Sequence, residues 1–216
     1  FVGHPLLDEE NKKKINLNTL LNVNKKIISL FPGSRLSEIT TLMPILIRFI
    51  LLKENKQKDY FYVFHTTKEL KEVVNSFLLK EKLTNCEIVS DENIKSEVLS
   101  KSSFAIAKSG TISIEICNAK IPSLIIYKIN FINYFIVKLL IKVKFANIFN
   151  IIAKTEIIPE LLQSNCNSTN IFNKVDSFFD DNQSMKNQVD KSQEIIKNFK
   201  TNKSLEIAAS VLTNSL

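Results

Sequence analysis

The sequence predicts an α/β protein built on a parallel sheet with helices on both faces. Two observations carry this reading. First, five short runs, at residues 27–31, 60–64, 86–89, 103–107 and 123–127, are apolar at most positions. That is the pattern of strands buried on both sides. Second, stretches with helical spacing separate these runs, as in parallel strands joined by right-handed helical crossovers. Ligands of such sheets bind beyond the carboxyl ends of the strands, so the turns that follow strands are the places to look for function.

In chain order, residues 1–7 are apolar around Pro5, and His4-Pro5 reads as a fixed turn. Residues 8–14 form a charged loop and residues 17–21 a short helix. Ile27-Ile-Ser-Leu-Phe31 is a strand that ends at Pro32-Gly33-Ser34-Arg35. From Ser37 to Lys53, Ile39, Leu42, Met43, Leu46, Phe49, Ile50 and Leu51 fall mostly at helical spacing, with Ser37 as the expected cap. Tyr60-Phe-Tyr-Val-Phe64 is the next strand, and Thr67 opens a helix that runs to about Leu79. Residues 86–89 are a short strand and residues 94–100 a short helix. The central strand, 103–107, leads into a helix at 111–119. Residues 123–127 form a strand, followed by a strongly apolar segment at 131–143. Residues 157–163 read as a short helix. Residues 168–216 are polar with helical patterning and no convincing strand.

Composition narrows the function classes. The chain has 216 residues, 44% hydrophobic and 24% charged. This is a normal globular balance, enough for one domain of ordinary size, or one domain plus an appendage. The net charge is +7, from 29 basic and 22 acidic side chains, which suits an anionic substrate, an anionic membrane surface or nucleic acid. Much of the charge is lysine in a chain rich in Asn and Ile, a bias that genome composition can produce, so it carries little weight by itself. There is no aromatic-interleaved basic patch and no nucleic-acid module, so no nucleic-acid partner is expected. Cys86, Cys117 and Cys166 are far apart and make no metal spacing, so a reducing compartment is expected. Phe1-Val-Gly-His-Pro lacks a basic region followed by an apolar one, so no signal peptide is expected; without an initiator Met, the chain reads as a fragment. No run of about 18 uncharged apolar residues suggests a membrane span. The nearest, residues 121–143, is interrupted by Lys128, Lys138 and Lys142.

Two strand-to-helix turns carry the chemistry. Ala107-Lys-Ser-Gly-Thr-Ile-Ser-Ile-Glu115 turns across Ser109-Gly110. The start of a helix exposes backbone N–H groups and the positive end of its dipole, a seat for phosphate. Gly110 lets a ligand approach the backbone. Ser109 and Thr111 cap the helix or donate hydroxyls, and Glu115 lies one turn in, within reach of a ribose diol. The same residues also suit a Ser/Thr-capped helix with a first-turn carboxylate and no ligand. The second turn, Gly33-Ser34-Arg35, offers a guanidinium fork to phosphate, and equally suits a surface arginine in a glycine turn. His65 ends a strand near the ligand edge and reads as structural. Neither His4 nor His65 makes a metal site. There is no P-loop, no GxGxxG, no GxSxG and no CxxC pair.

Five segments in order make a resemblance visible: Phe1-Val-Gly-His-Pro-Leu, Leu30-Phe-Pro-Gly-Ser-Arg-Leu-Ser-Glu-Ile39, Lys108-Ser-Gly-Thr-Ile-Ser-Ile-Glu115, Ile121-Pro-Ser-Leu-Ile-Ile-Tyr-Lys128, and Asn150-Ile-Ile-Ala with Pro159-Glu-Leu-Leu-Gln163. Together they resemble the C-terminal half of the lipid-A-disaccharide synthases, membrane-associated GT-B glycosyltransferases. The resemblance implies a Rossmann-like, doubly wound parallel sheet, the C-terminal domain of a GT-B fold, with a helical tail. It implies a UDP-sugar (donor) domain at 1–165 and a tail at 166–216 that packs on it or on an N-terminal half.

The implied reaction transfers 2,3-diacylglucosamine from its UDP derivative to 2,3-diacylglucosamine 1-phosphate (lipid X). The products are a β-1,6 disaccharide and UDP, formed with inversion and with neither metal nor cofactor. Ser34 and Arg35 match the turn near the nucleotide. Ser109, Gly110 and Thr111 match the pyrophosphate loop, and Glu115 the ribose acid. Asn150, Glu160 and Gln163 match the donor-side polar residues. Two departures stand out: Phe149 where proline is frequent, and Lys108 where a small residue is common. The base is expected in the N-terminal half, so this chain alone is expected to be inactive. The expected setting is cytoplasmic, peripheral on the inner membrane of a Gram-negative bacterium, with a homodimer as a further expectation. The apolar segment with Lys138, Lys142 and Lys144 is either a buried helix or a helix lying among anionic headgroups. Another UDP-sugar-using GT-B enzyme and a non-catalytic nucleotide-binding fragment are the alternatives.

Overall fold

The computed structural model describes residues 25–128 and 145–197. His4, the expected helix at 17–21, and the segment carrying Lys138, Lys142 and Lys144 lie outside the described residues.

The described chain forms one six-stranded, all-parallel sheet. Its strands are β1 (Lys26–Phe31), β2 (Tyr60–His65), β3 (Cys86–Val89), β4 (Ser102–Lys108), β5 (Ser123–Tyr127) and β6 (Glu160–Leu162), in the order β3-β2-β1-β4-β5-β6. The helices are α1 (Leu36–Lys56), α2 (Lys71–Lys80), α3 (Glu92–Lys101), α4 (Ile112–Asn118), α5 (Ile148–Ala153), α6 (Ser168–Asp180) and α7 (Asn182–Lys197). Short 3-10 turns at Lys68–Leu70 and Gln163–Asn165 precede α2 and α6.

Strand alternation sorts the core into two sides. Ile28, Leu30, Tyr62, Phe64, Phe104, Ile106, Leu124 and Ile126 face one way and pack with residues of α1, α2 and α6. Phe31, Ala105, Ala107 and Ile125 face the other way, against α4, α5 and α7, while Ile27 and Val63 meet Val98 of α3. Successive side chains of a strand point to opposite faces, so a strand apolar at every position needs helices on both sides. This is a doubly wound α/β sheet.

The structure corrects two expectations about local structure. Residues 157–163 do not form a helix. Pro159 drives the preceding residue toward extended backbone, and the amide of Ile125 donates to its carbonyl at 2.9 Å. β6 then pairs Glu160, Leu161 and Leu162 with Ile125, Ile126 and Tyr127. Ile158 packs in one core cluster and Leu161 against the other, as a strand requires. Ser37 does not cap α1 either. The cap is Arg35, in extended conformation and without a side-chain cap bond, and Glu38 reaches back to accept from the Ser34 amide at 3.0 Å. Elsewhere in α1, Pro44 sits on the exposed face.

The two helices after β6 complete the core. α6 contributes Ile171, Val175 and Phe178 to one side, and α7 contributes Ile195 and Ile196 to the other. The buried Gln188 of α7 works as a bracket on Ser123 at the start of β5, accepting from its amide at 2.9 Å and donating to its carbonyl at 2.7 Å. α6 is fastened to α1 by charge. Asp176 accepts from Lys53 at 2.7 Å and from Lys56 at 2.5 Å. The Lys53 side chain is 1% exposed and its ammonium lies 4.9 Å from the Tyr60 ring centre and 5.6 Å from that of Phe179.

Candidate functional site

Strand order reverses between β1 and β4: β2 and β3 lie on one side of this pair, β5 and β6 on the other. Such a switch point leaves a crevice beyond the strand ends, because the two flanking crossovers depart in opposite directions. A cavity of about 220 Å³ occupies it. The turn after β1 contributes Phe31, Gly33 and Ser34, and the turn after β4 contributes Lys108, Ser109, Gly110 and Thr111. The ends of β2 and β3 contribute His65, Thr66, Thr67, Val89, Ser90 and Asp91, and the helices add Glu38, Lys95 and Glu115.

Among the described residues, two lysine-centred sets of ion pairs flank this cavity. In the first, Lys108 Nζ lies 2.9 Å from Glu38 Oε1, joining the end of β4 to the first turn of α1. Glu38 lies directly over Gly33, where an added Cβ would come within 2.4 Å of Oε2, and Gly33 has φ +117°. Only glycine satisfies both the backbone angle and that contact. Burial pushes the Glu38 carboxyl up, but the hydrogen bond from Lys108 and the Ser34 amide outweigh it and hold it below the usual range. In the second, Lys95 of α3 lies 2.8 Å from Glu115 of α4 and also pairs with Glu92. Burial alone would lower the Lys95 pKa, yet the two carboxylates raise it above its ordinary value, so the ammonium stays charged.

His65 forms part of the cavity wall but is not a proton shuttle. It is 4% exposed and stacks on Phe31, with ring centres 4.3 Å apart. Its Nε2 lies 2.9 Å from Ser29 Oγ, which lies 2.8 Å from Ser102 Oγ. Ser102 in turn donates to the Val98 carbonyl at 2.9 Å. Each hydroxyl has one proton to give, so Ser29 donates to Ser102 and His65 Nε2 carries the proton given to Ser29. Burial, with the nearby Lys95 charge, pushes the His65 pKa down to about 3, and the ring is neutral near pH 7.

Of the residues expected from sequence, Ser34, Ser109, Gly110, Thr111 and Glu115 all line the cavity. Arg35 lies outside that lining, its side chain 80% exposed and 3.9 Å from Glu38. The hydroxyls differ from expectation. Ser109 Oγ donates to the Ala146 carbonyl at 2.7 Å. Thr111 begins α4 without a side-chain cap bond, and Ser113 donates to the Gly110 carbonyl instead.

Asn150, Glu160 and Gln163 are not among the residues lining the cavity. Asn150 is fully buried. Its Nδ2 donates to the Ile158 carbonyl and Glu160 Oε1, and its Oδ1 accepts from the amides of Ile157 and Ile158. An amide side chain has two donors and two lone pairs, so none is left for a ligand. Glu160 also accepts from the amides of Ala146 and Asn147 at 2.7 and 2.9 Å. Glu160, itself bonded by Asn150, holds residues 146–147 in place, and Ser109 anchors on Ala146. Asn150 and Glu160 bear on the cavity through the Ser109 turn rather than by contact. Gln163 begins the 3-10 turn after β6, with φ +52°. Phe149, where the resemblance has a frequent proline, donates its amide to Asn147 Oδ1 at 2.9 Å, a bond proline cannot make.

Sequence reasoning missed Glu38 and Lys95. Glu38 had a local signal, an acidic residue in the first turn of α1. Lys95 had none, since its partner Glu115 is twenty residues away on another helix. Among the described residues, no group of three His, Cys, Asp or Glu side chains is placed to hold a metal ion, and no helix is long and apolar enough to cross a membrane.

A family model described as Lipid-A-disaccharide synthetase matches residues 1–212. The chain belongs to the lipid-A-disaccharide synthase family. The lipid-A-disaccharide synthase of Rickettsia prowazekii is 34% identical over 218 residues, covering 98% of this chain and 57% of its own length. That of a Sulfurihydrogenibium species is 36% identical over 200 residues, covering 87% and 52%. The chain thus spans about half the length of the curated relatives it matches. Solved structures share the fold at much lower identity. The UDP-GlcNAc 2-epimerase of Neisseria meningitidis, solved with UDP-GlcNAc, matches with TM-score 0.62 at 13% identity, covering 88% of this chain and 45% of that one. The C-terminal domain of a group 1 glycosyltransferase from Francisella tularensis matches with TM-score 0.55 at 13% identity, covering 89% and 94%. The fold of this family member is therefore that of a GT-B glycosyltransferase domain.

Proposed function

We propose that this chain is the donor-binding half of a lipid-A-disaccharide synthase. The whole enzyme transfers 2,3-diacylglucosamine from its UDP derivative to lipid X, forming the β-1,6 disaccharide and releasing UDP. The observation that carries the reading is the cavity at the β1–β4 switch point, walled by the two turns singled out in the sequence, in a chain that matches the family model over residues 1–212. Residues 1–165 form the donor-binding unit in this reading, and 166–216 a tail whose described helices, α6 and α7, pack on that unit.

Each part has a role. Ser34, through its hydroxyl, and the Ser109-Gly110-Thr111 turn receive the diphosphate, Ser109 as the anchor that holds the turn on Ala146 and Ile126, with Arg35 at the rim. Glu115 accepts from the ribose diol. It is already bonded to Lys95, but a carboxylate has about four acceptor sites, so two hydroxyls still fit. Asn150, Glu160 and Gln163 support the donor side, the first two by fixing the segment on which Ser109 rests. Inversion needs a base at the acceptor hydroxyl and neutralisation of charge on departing UDP. This half supplies the second, from backbone amides and lysines; the base belongs to the N-terminal half, and the chain alone does not catalyse transfer. Acylated substrates favour a membrane surface as the working place of the enzyme, in this reading the cytoplasmic face of the inner membrane. Co-sedimentation with anionic vesicles in preference to neutral ones tests the membrane part.

The donor site is tested by calorimetry with UDP, with and without a chelator. UDP binds in both cases, because cationic side chains and amides do the work of a metal. Loss of binding on chelation would contradict this.

A further inference from the structure

We propose that Lys108 is a phosphate-binding residue held in reserve by Glu38. When the cavity takes a nucleoside diphosphate, Lys108 Nζ leaves Glu38 Oε1 for a phosphate oxygen, and Glu38 remains on the Ser34 amide. This rests on the nucleotide-sugar reading above and adds a residue and a regulation to it.

Lys108 is the last residue of β4, immediately before Ser109-Gly110, and lines the cavity. Its side chain is 22% exposed, and its ammonium lies 2.9 Å from Glu38 and 5.5 Å from the Tyr127 ring centre. The other lysine in the cavity wall, Lys95, is committed to two carboxylates, Glu92 and Glu115. Among the described residues Lys108 is paired with a single carboxylate, and that carboxylate has a second partner. Glu38 Oε2 accepts from the Ser34 amide at 3.0 Å, and the Arg35 guanidinium stands 3.9 Å from Oε1. Withdrawing Lys108 therefore does not strand a bare carboxylate. A diphosphate carries more negative charge than one carboxylate and offers more acceptor oxygens, so it competes well for a flexible ammonium. The exchange also relieves the cavity of a problem. With Lys108 fixed on Glu38, the carboxylate at the mouth has its charge offset when the cavity is empty; when the ligand is present, the cation serves the ligand.

The same pair also suits a fixed strut between β4 and α1, and the test separates the two roles. UDP, uridine and inorganic pyrophosphate are titrated into the 216-residue chain and into Lys108→Gln, Lys108→Arg and Glu38→Gln, with thermal melts as a check on folding. The exchange predicts that Lys108→Gln weakens UDP and pyrophosphate about tenfold or more and leaves uridine unchanged. Lys108→Arg restores most of the loss. Glu38→Gln, which frees the lysine, tightens UDP about threefold. A strut predicts lower melting temperatures in Lys108→Gln and Glu38→Gln with an unchanged UDP-to-uridine ratio, and that result overturns the exchange while sparing the nucleotide reading. Pyrophosphate binding that needs Lys108 in a chain that binds no UDP would overturn the nucleotide reading and keep the phosphate role of Lys108. Binding of neither UDP nor pyrophosphate overturns both.

Discussion

Asp176→Ala is expected to be the most damaging single substitution outside the apolar core. It removes the carboxylate that neutralises Lys53, whose side chain is 1% exposed and enclosed by the rings of Tyr60, Phe172 and Phe179. Removing one partner of a buried pair costs about 3–5 kcal/mol, because the other charge is left without compensation. The lower end applies here, since Asp176 is itself 19% exposed and water can partly replace it. For a chain of this size, that loss lowers the melting temperature by roughly 6–12 °C. Replacing both ends with apolar groups, as in Lys53→Met with Asp176→Leu, recovers most of the stability, since the rings already form an apolar seat. The pH dependence has a definite sign. Hydrogen bonds from Lys53 and Lys56 hold the Asp176 carboxyl below its usual range. The stability it provides is therefore present above the unfolded-state value of about 3.9 and is lost as pH falls through the lower folded-state value. The difference between parent and Asp176→Ala narrows accordingly in acid. Denaturation at pH 7 and in acid checks this, and a variant within 1 kcal/mol of the parent at pH 7 contradicts the account of Lys53.

Glu115→Gln carries the largest expected effect on binding. A carboxylate accepting from a ribose diol makes charge-assisted hydrogen bonds worth about 1.5–3 kcal/mol each, so UDP weakens roughly tenfold or more while the fold is kept. The structure adds a control. Lys95→Met leaves the carboxylate but removes the ammonium 2.8 Å from it, so it disturbs orientation and weakens UDP less than Glu115→Gln does. If Glu115→Gln binds UDP as the parent does, the role of Glu115 is to pair with Lys95.

The strands were legible in the sequence because burial on both faces writes a continuous apolar run, as in Phe104, Ala105, Ile106 and Ala107, all fully buried. β6 was not. It has three residues, all half-buried, and it exists because β5 has an open edge. That is a tertiary choice, and Ile157, Ile158, Leu161 and Leu162 also fit a helical spacing. The two site turns could be read because strand, glycine and helix follow one another locally. The ion pairs could not, since Lys95 with Glu115 and Lys108 with Glu38 join residues that only the sheet order brings together. Asn150 and Glu160 show a third case: polar residues matched to a ligand role turn out to be occupied with backbone amides and with each other, which is visible only once the segment around Ala146 is folded.

The central claim is that a nucleoside diphosphate binds between the ends of β1 and β4. The most direct measurement is an amide-resolved NMR titration of the ¹⁵N-labelled chain with UDP. The account predicts that the largest shifts fall on Ser34, Lys108, Ser109, Gly110 and Thr111, with smaller ones at Glu115 and Val89. Shifts absent from both turns, or concentrated on α6 and α7, would contradict it.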